Sequence, residues 1–300
     1  MKRLMILAVC FSALVCVAQN NAVTKKKTLV INQETPESRA ANVDRDVPVT
    51  EISQDKTFAL IIANENYDQV ADVDYALHDG RSFKNYCEKT LGIPANHILY
   101  SENATAGKIR SELKKSKDIL EAYKGEASLI VYYAGHGVPD KNLDGYLLPT
   151  DCSGSDLSMA VALNDMYEEF SEVPAQSIVM FLDACFSGSK RGEGMIQNAR
   201  AVKVVAKDNK PKGKVIVFSA AQGDETAHPY KEQRHGIFTY YLLKKLKDTK
   251  GEATLQELGE YVQTQVRQNS VNISETKHSQ TPTMVASPKW GNDWKELKLK

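Results

Sequence analysis

The sequence has no excess of charge of either sign, because 38 lysine and arginine residues balance 38 aspartate and glutamate residues. Bulk electrostatics therefore give no reason to expect a nucleic acid or a membrane surface as a partner. Net charge therefore does not identify a binding partner. The evidence for one has to come from a site built from particular residues.

The sequence also has few long apolar runs, and the one at its start has the pattern of an export signal. Met1-Lys2-Arg3 supplies positive charge, and Leu4 to Val17 is almost wholly apolar. Cys16-Val17-Ala18 resembles a small-x-small cleavage site, so residues 1–18 are predicted to be a signal peptide. The protein is then expected to be periplasmic or secreted. A membrane anchor is the weaker interpretation, because the run is short for a span.

Cysteine is scarce, with five residues in 300, and the leader takes two of them. Cys87, Cys152 and Cys185 remain, which is an odd number, so at least one thiol stays free unless chains pair. A disulfide between Cys87 and Cys152 is an alternative that the sequence leaves open. The commoner role for a residue like Cys87 is that of a small, buried apolar side chain. Cys185 lacks a nearby C-x-x-C partner, which disfavours a thiol redox protein.

One cysteine follows a predicted buried strand. The run Ile178 to Leu182 is short, unbroken and rich in residues that favour extended chain, as in a strand buried on both faces of a parallel sheet. Reactive groups in such sheets collect beyond the carboxyl ends of the strands. Cys185, three residues past Leu182, is therefore the candidate nucleophile.

A histidine follows a second predicted strand. Ser128 to Tyr133 runs directly into Ala134-Gly135-His136-Gly137. If the two strands are parallel neighbours, His136 and Cys185 meet at one edge of the sheet. Glycines on both sides of His136 would let the backbone approach a substrate and present an amide to a developing oxyanion.

The rest of the chain alternates predicted strands and helices, which favours an α/β fold with a mostly parallel sheet. Thr57 to Ala63 is the first predicted strand, and Ala76 to Leu91 is the first predicted helix. A small hairpin is expected within Pro139 to Pro149. The predicted organisation is a signal peptide over 1–18, a flexible segment or propeptide over 19–55, a catalytic domain over 56–285 with a basic loop at 189–214, and a C-terminal tail over 286–300.

Together these residues resemble the caspase-like cysteine peptidases of clan CD, and the bacterial metacaspase-like and clostripain-related branches more than the animal caspases. Tyr132 to Gly137 resembles the histidine motif of the family, and Asp183 to Gly188 resembles its cysteine motif. The resemblance implies the caspase–hemoglobinase fold, a three-layer sandwich whose mostly parallel central sheet is flanked by helices.

The resemblance also implies a cysteine endopeptidase. Cys185 would attack the peptide carbonyl, His136 would protonate the leaving amine, and water would release the acyl group. The backbone amides of Gly137 and Cys185 would hold the oxyanion. The chemistry needs no cofactor or metal. The calcium-binding aspartates of some metacaspases do not map onto this chain, so no calcium requirement is expected.

Metacaspase and clostripain relatives place carboxylates where the substrate's Arg or Lys binds, and by motif position these are Asp183 and Asp79. Proteins or peptides with basic residues are then the expected substrates. The simpler role for Asp183 is to cap a turn or helix. His78, His97, His228, His235 and His278 show no metal-binding spacing and are interpreted as surface or structural residues.

Two further alternatives stay open. A peptidase that cuts after basic residues would cleave itself in the basic loop 189–214, but a solvated basic loop explains the same composition. The second alternative is a catalytically silent caspase-like protein that binds partners. The presence of both Cys185 and His136 counts against it. The sequence gives no oligomeric state.

Overall fold

Five apolar segments form the parallel strands of a central sheet in a computed structural model of the chain. The structure describes residues 41–142, 144–186, 211–222, 225–274 and 278–300. The parallel strands are β1 (Thr57–Ala63), β2 (Ile98–Glu102), β3 (Ser128–Ala134), β7 (Ser177–Asp183) and β8 (Val215–Ser219). Because helices cover both faces of the sheet, the central strands β1, β3 and β7 are nearly continuously apolar rather than alternating.

The strand order places the two predicted active-site strands side by side at the centre. Strand β11 (Thr283–Ala286) adds an antiparallel edge to the five parallel strands. The order is β11-β8-β7-β3-β1-β2, and β3 pairs in parallel with both β1 and β7. The mostly parallel sheet predicted from the sequence is confirmed.

Within the described residues, five α-helices pack on the two faces of the sheet. They are α1 (Ala76–Lys89), α2 (Ala106–Ala122), α3 (Leu163–Glu172), α4 (Ile237–Thr249) and α5 (Leu255–Ile273). One core cluster joins the sheet to α1, α4 and α5, and a second joins it to α2 and α3. Burial of apolar side chains in these two clusters stabilises the three-layer sandwich.

Two small sheets lie outside the central one. Strands β4 (Gly137–Pro139), β5 (Gly145–Leu147) and β6 (Val161–Ala162) form the first, and β9 (Pro229–Tyr230) and β10 (His235–Gly236) form the second. Strands β4 and β5 are the antiparallel hairpin expected between Pro139 and Pro149. Strand β6 uses residues 161–162, so α3 begins only at Leu163.

The segment 41–55, which we interpreted as part of a mobile region, packs against the catalytic body. Val43 is fully buried, and its carbonyl oxygen accepts a hydrogen bond of 2.7 Å from the Tyr86 hydroxyl. By the contacts between its residues, Ala40–Lys300 is one compact unit. An apolar side chain and backbone carbonyls thus join this segment to the rest of the chain, and its expected flexibility stays a prediction. Cleavage of a propeptide stays a prediction.

The C-terminal residues complete the fold. Strand β11 closes one edge of the sheet, and the Trp290 side chain beyond it is buried. The predicted signal peptide lies outside the described residues, as do positions 187–210, which include most of the basic loop. In the described part of the chain, no helix combines the length and apolar character that crossing a membrane requires.

Candidate active site

His136 and Cys185 occupy matching positions at the ends of two adjacent parallel strands. Ala134, the last residue of β3, is in register with Asp183, the last residue of β7. The amide of Gly135 donates a hydrogen bond of 3.3 Å to the Asp183 carbonyl, which continues the pairing one step further. His136 and Cys185 each follow two residues after that register pair. The predicted pairing of the two strands is thus confirmed.

The His136 ring is oriented by a backbone carbonyl that sequence reasoning did not identify. Its Nε2 atom lies 2.7 Å from the carbonyl oxygen of Ala71. A carbonyl oxygen only accepts hydrogen bonds, so Nε2 carries the proton of this contact. Nδ1 is then the ring nitrogen suited to exchanging a proton with a nucleophile.

Two tyrosine hydroxyls fix the backbone of His136. The hydroxyl of Tyr67 accepts a hydrogen bond of 2.8 Å from the His136 amide, and its ring lies 4.7 Å from the imidazole. The Tyr133 hydroxyl donates to the His136 carbonyl at 2.8 Å. Burial raises the pKa of Tyr133 well above its usual value, so this hydroxyl stays protonated and can donate.

Cys185 is buried beneath a backbone segment that follows β8. Its Sγ atom accepts a hydrogen bond of 2.7 Å from the amide of Ala227, and the residue is only 4 % exposed. An amide donor stabilises the thiolate form relative to the thiol. The same contact covers the sulfur. A substrate therefore cannot reach Cys185 unless the segment around Ala227 moves.

The two glycines around His136 are required by close approach within the protein. A Cβ atom on Gly135 would lie 2.7 Å from the Tyr67 hydroxyl oxygen. One on Gly137 would lie 2.8 Å from the Cys185 carbonyl oxygen and 2.7 Å from the Phe186 ring. We had attributed these glycines to the approach of a substrate, whereas in the structure side chains and backbone of the protein itself approach them.

The amide of Gly137 is directed away from the neighbouring hairpin strand. The amide of Leu148 donates to the His136 carbonyl at 3.0 Å, so His136 and Leu148 form a hydrogen-bonded pair across the hairpin. Gly137 and Leu147 are the next pair, and such pairs alternate between bonded and non-bonded in antiparallel strands. The Gly137 amide therefore points out of the β4–β5 ladder, as an oxyanion donor must.

Asp183 lies at the end of β7, two residues before Cys185, and is 1 % exposed. Its Oδ2 accepts a hydrogen bond of 2.6 Å from the Thr239 hydroxyl in the first turn of α4. The Tyr132 hydroxyl lies 2.7 Å from the same Thr239 oxygen. Asp183 thus contacts a side chain in the first turn of α4, while a capping role stays a prediction.

Asp79 is fully buried and binds a histidine. Its Oδ1 lies 2.7 Å from Nδ1 of His235, and its Oδ2 accepts a hydrogen bond of 3.0 Å from the Gly236 amide. Burial lowers the pKa of His235, but hydrogen bonds to Asp44 and Asp79 outweigh it and raise that pKa to about 9. Both carboxylate oxygens of Asp79 thus make contacts within the protein, one with His235 and one with the Gly236 amide.

The two predicted pocket carboxylates meet at the same helix end. Asp79 contacts Gly236, which caps the N-terminus of α4, and Asp183 contacts Thr239 within its first turn. Negative charge is stabilised near a helix N-terminus by the helix dipole. Sequence reasoning missed the supporting contacts of Tyr67, Ala71, Ala227 and Thr239, because all four act through a backbone atom or a lone hydroxyl.

The three cysteines of the described residues are all free. Cys87 and Cys152 form no bridge, which settles the alternative that the sequence left open. Burial raises the pKa of both thiols.

Comparison with known proteins places these features in a family. The Peptidase C14 caspase domain matches residues 56–289. Caspase-1 from Spodoptera frugiperda has a similar solved structure, with a TM-score of 0.53 and 16 % sequence identity over 81 % of this chain and 91 % of that one. No curated protein sequence matches the chain. With both catalytic motifs inside the matched region and the caspase fold around them, the chain belongs to the caspase-domain family of cysteine peptidases.

Proposed function

We propose that this protein is an exported cysteine endopeptidase that hydrolyses peptide bonds after Arg or Lys. The observation that carries the proposal is the matched placement of His136 and Cys185, each two residues beyond the register pair Ala134 and Asp183. Two side chains that act on one bond have to meet, and adjacent parallel strands bring their carboxyl ends to one edge.

The chemistry follows from the contacts around the dyad. Cys185 attacks the substrate carbonyl as a thiolate, which the Ala227 amide stabilises before the reaction. His136, held by Ala71 through Nε2, gives a proton to the leaving amine. Water then releases the acyl group from the sulfur. The amides of Gly137 and Cys185 hold the oxyanion that forms in each step.

A basic acyl-side residue is the substrate feature that the carboxylates support. Asp183 is buried two positions before the nucleophile, and a carboxylate in such a place favours a guanidinium or ammonium partner. Asp79 approaches the same end of α4, but it is bound to His235. Asp183 is therefore the main candidate for substrate charge recognition, and Asp79 has a supporting position.

Activation by self-processing in the basic loop 189–214 is part of the proposal. Cys185 is nearly inaccessible beneath Ala227, so a chain with this arrangement needs a rearrangement before it accepts a substrate. The buried sulfur equally favours the second candidate, a catalytically silent protein of the same fold that binds partners. Turnover separates the two.

The test is cleavage of fluorogenic peptides that differ only in the acyl-side residue, Arg, Lys, Asp or Ala. The protein is assayed before and after limited proteolysis in the basic loop, beside its Cys185→Ala and Asp183→Asn variants. Cys152→Ala is the matched control, because that thiol is also buried but lies outside the dyad.

Cleavage confined to Arg or Lys, lost in Cys185→Ala and retained in Cys152→Ala, supports the proposal. Turnover after Asp alone retains the dyad and contradicts the basic pocket. No turnover in either form of the protein supports the silent binding protein instead. A chain that stays in one piece while fully active contradicts self-processing.

A further inference from the structure

Three potential metal ligands converge outside the predicted dyad, at Asp44, His78 and His235. Nε2 of His78 lies 2.9 Å from Oδ2 of Asp44, and Nε2 of His235 lies 3.2 Å from the same oxygen. All three ligand atoms lie within 4.8 Å of one another. Donor atoms about 2.0–2.2 Å from a tetrahedral Zn²⁺ are separated by roughly 3.3–3.6 Å, so small side-chain shifts would admit an ion.

Neighbouring side chains already orient two of the three ligands. Oδ1 of Asp79 binds Nδ1 of His235, which directs the other ring nitrogen, Nε2, into the cluster. The hydroxyl of Ser82 donates to Oδ1 of Asp44 at 2.8 Å, which leaves Oδ2 facing the two imidazoles. Metal sites in proteins generally have such partners behind their ligands, because they fix the tautomer and the direction of each donor.

The cluster is buried on one side and reachable on the other. The side chain of His235 is fully buried, that of Asp44 is 15 % exposed and that of His78 is 34 % exposed. An ion can therefore enter from solvent past His78 and keep a water molecule as a further ligand. Asp44 and Asp79 place two carboxylates around the position, which favours a divalent cation.

We propose that Asp44, His78 and His235 form a binding site for a divalent transition-metal ion, with Zn²⁺ as its representative. Two imidazoles and one carboxylate match the ligand types that such ions prefer, and binding releases to solvent the proton that now joins Nε2 of His235 to Oδ2 of Asp44. The ligands come from residues 41–45, from α1 and from β10. The bound ion fastens the N-terminal segment to the catalytic body, a role separate from peptide hydrolysis.

Existing contacts show what this attachment would strengthen. Besides burying Val43, the segment is held by Nζ of Lys247, which donates to the carbonyls of Asn42 and Arg45 at 2.7 and 2.6 Å. An ion bound through Asp44 would replace its hydrogen bonds to His78 and His235 with bonds to the metal and so tighten the attachment of residues 41–45. Amides in this segment should then exchange more slowly when metal is bound.

The experiment is isothermal titration with Zn²⁺ of protein carrying Cys185→Ala, because a thiolate beside an imidazole would bind Zn²⁺ as well. His78→Ala and Asp44→Asn remove one ligand each, and both positions reach solvent, so these variants should keep the fold. His278→Ala is the matched control, since that histidine is exposed and lies outside the cluster. Ser82→Ala removes only the support behind Asp44.

We expect one ion per chain, at least about tenfold weaker binding in His78→Ala and Asp44→Asn, and unchanged binding in His278→Ala. Ser82→Ala should weaken binding by about tenfold or more, as for other supporting partners. Hydrogen exchange should show residues 42–45 protected by Zn²⁺ only when the ligands are intact. Absence of saturable binding, or binding that His78→Ala and Asp44→Asn leave unchanged, would show that the cluster is an ion-pair network without a metal.

Discussion

The backbone amide of Ala227 donates a hydrogen bond of 2.7 Å to Sγ of Cys185, so the proposed nucleophile is both stabilised as a thiolate and covered. These two effects oppose each other in catalysis, because the first raises reactivity while the second limits access. A substrate therefore has to displace the segment around Ala227 before it reaches the sulfur.

Alkylation should therefore distinguish Cys185 from the other two thiols. Burial raises the pKa of Cys87 and Cys152, so both remain protonated at neutral pH and react slowly. We expect iodoacetamide to modify Cys185 at least about tenfold faster than either, as measured by peptide mass spectrometry. His136→Ala should slow the modification of Cys185 alone. Earlier labelling of Cys152 or Cys87 would contradict this view of the site.

Tyr67→Phe should lower the turnover of the active enzyme. The change removes the hydroxyl that accepts the His136 amide proton and leaves a buried donor unsatisfied. We expect kcat to fall about tenfold, equivalent to roughly 1.4 kcal/mol, with KM little changed. Tyr261→Phe, on α5, is the control and should leave both constants unchanged. A change confined to KM would mean that Tyr67 contacts the substrate rather than positioning His136.

Thr239→Val should weaken recognition of the basic residue more than it weakens chemistry. The threonine hydroxyl links Asp183 to Tyr132, and without it the carboxylate loses a fixed donor. We expect KM for an Arg peptide to rise about tenfold and the free energy of unfolding to fall by about 1–3 kcal/mol. Thr249→Val, at the other end of α4, tests the general effect of the change. An unaltered KM would remove Thr239 from the description of the pocket.

Two glycine-to-alanine changes in helices should have opposite effects on stability. In α1 a Cβ on Gly80 would lie 2.5 Å from the Cβ of Ala63 in β1, so Gly80→Ala forces the helix away from the sheet. We expect a loss of about 1–3 kcal/mol in the free energy of unfolding. A Cβ on Gly107 in α2 meets nothing within 4 Å, so Gly107→Ala should stabilise the protein by about 0.5–1 kcal/mol. Urea denaturation measures both, and equal shifts would contradict the packing described.

The sequence was sufficient for the central parallel strands β1, β3 and β7 because each contains a short, unbroken apolar run. The sequence also located β3 and β7 correctly. His136 follows the first of these strands and Cys185 follows the second, and the two strands have matching lengths. Helix ends were less accurate, as for α1, which ends at Lys89 rather than at the predicted Leu91. Periodicity weakens in polar turns, where packing rather than pattern decides the last residue.

The sequence by itself determined the family, the order of the main elements and the two motif residues, because these depend on local apolar runs and on short motifs. Only the tertiary structure decided that Ala71 orients His136 and that Ala227 contacts Cys185. Both contacts use backbone atoms, which every residue type has, so the sequence does not indicate them. It alone joined Asp44 to His235, which are 191 positions apart. No spacing rule covers such a distance, because chain folding and not local geometry brings those side chains together.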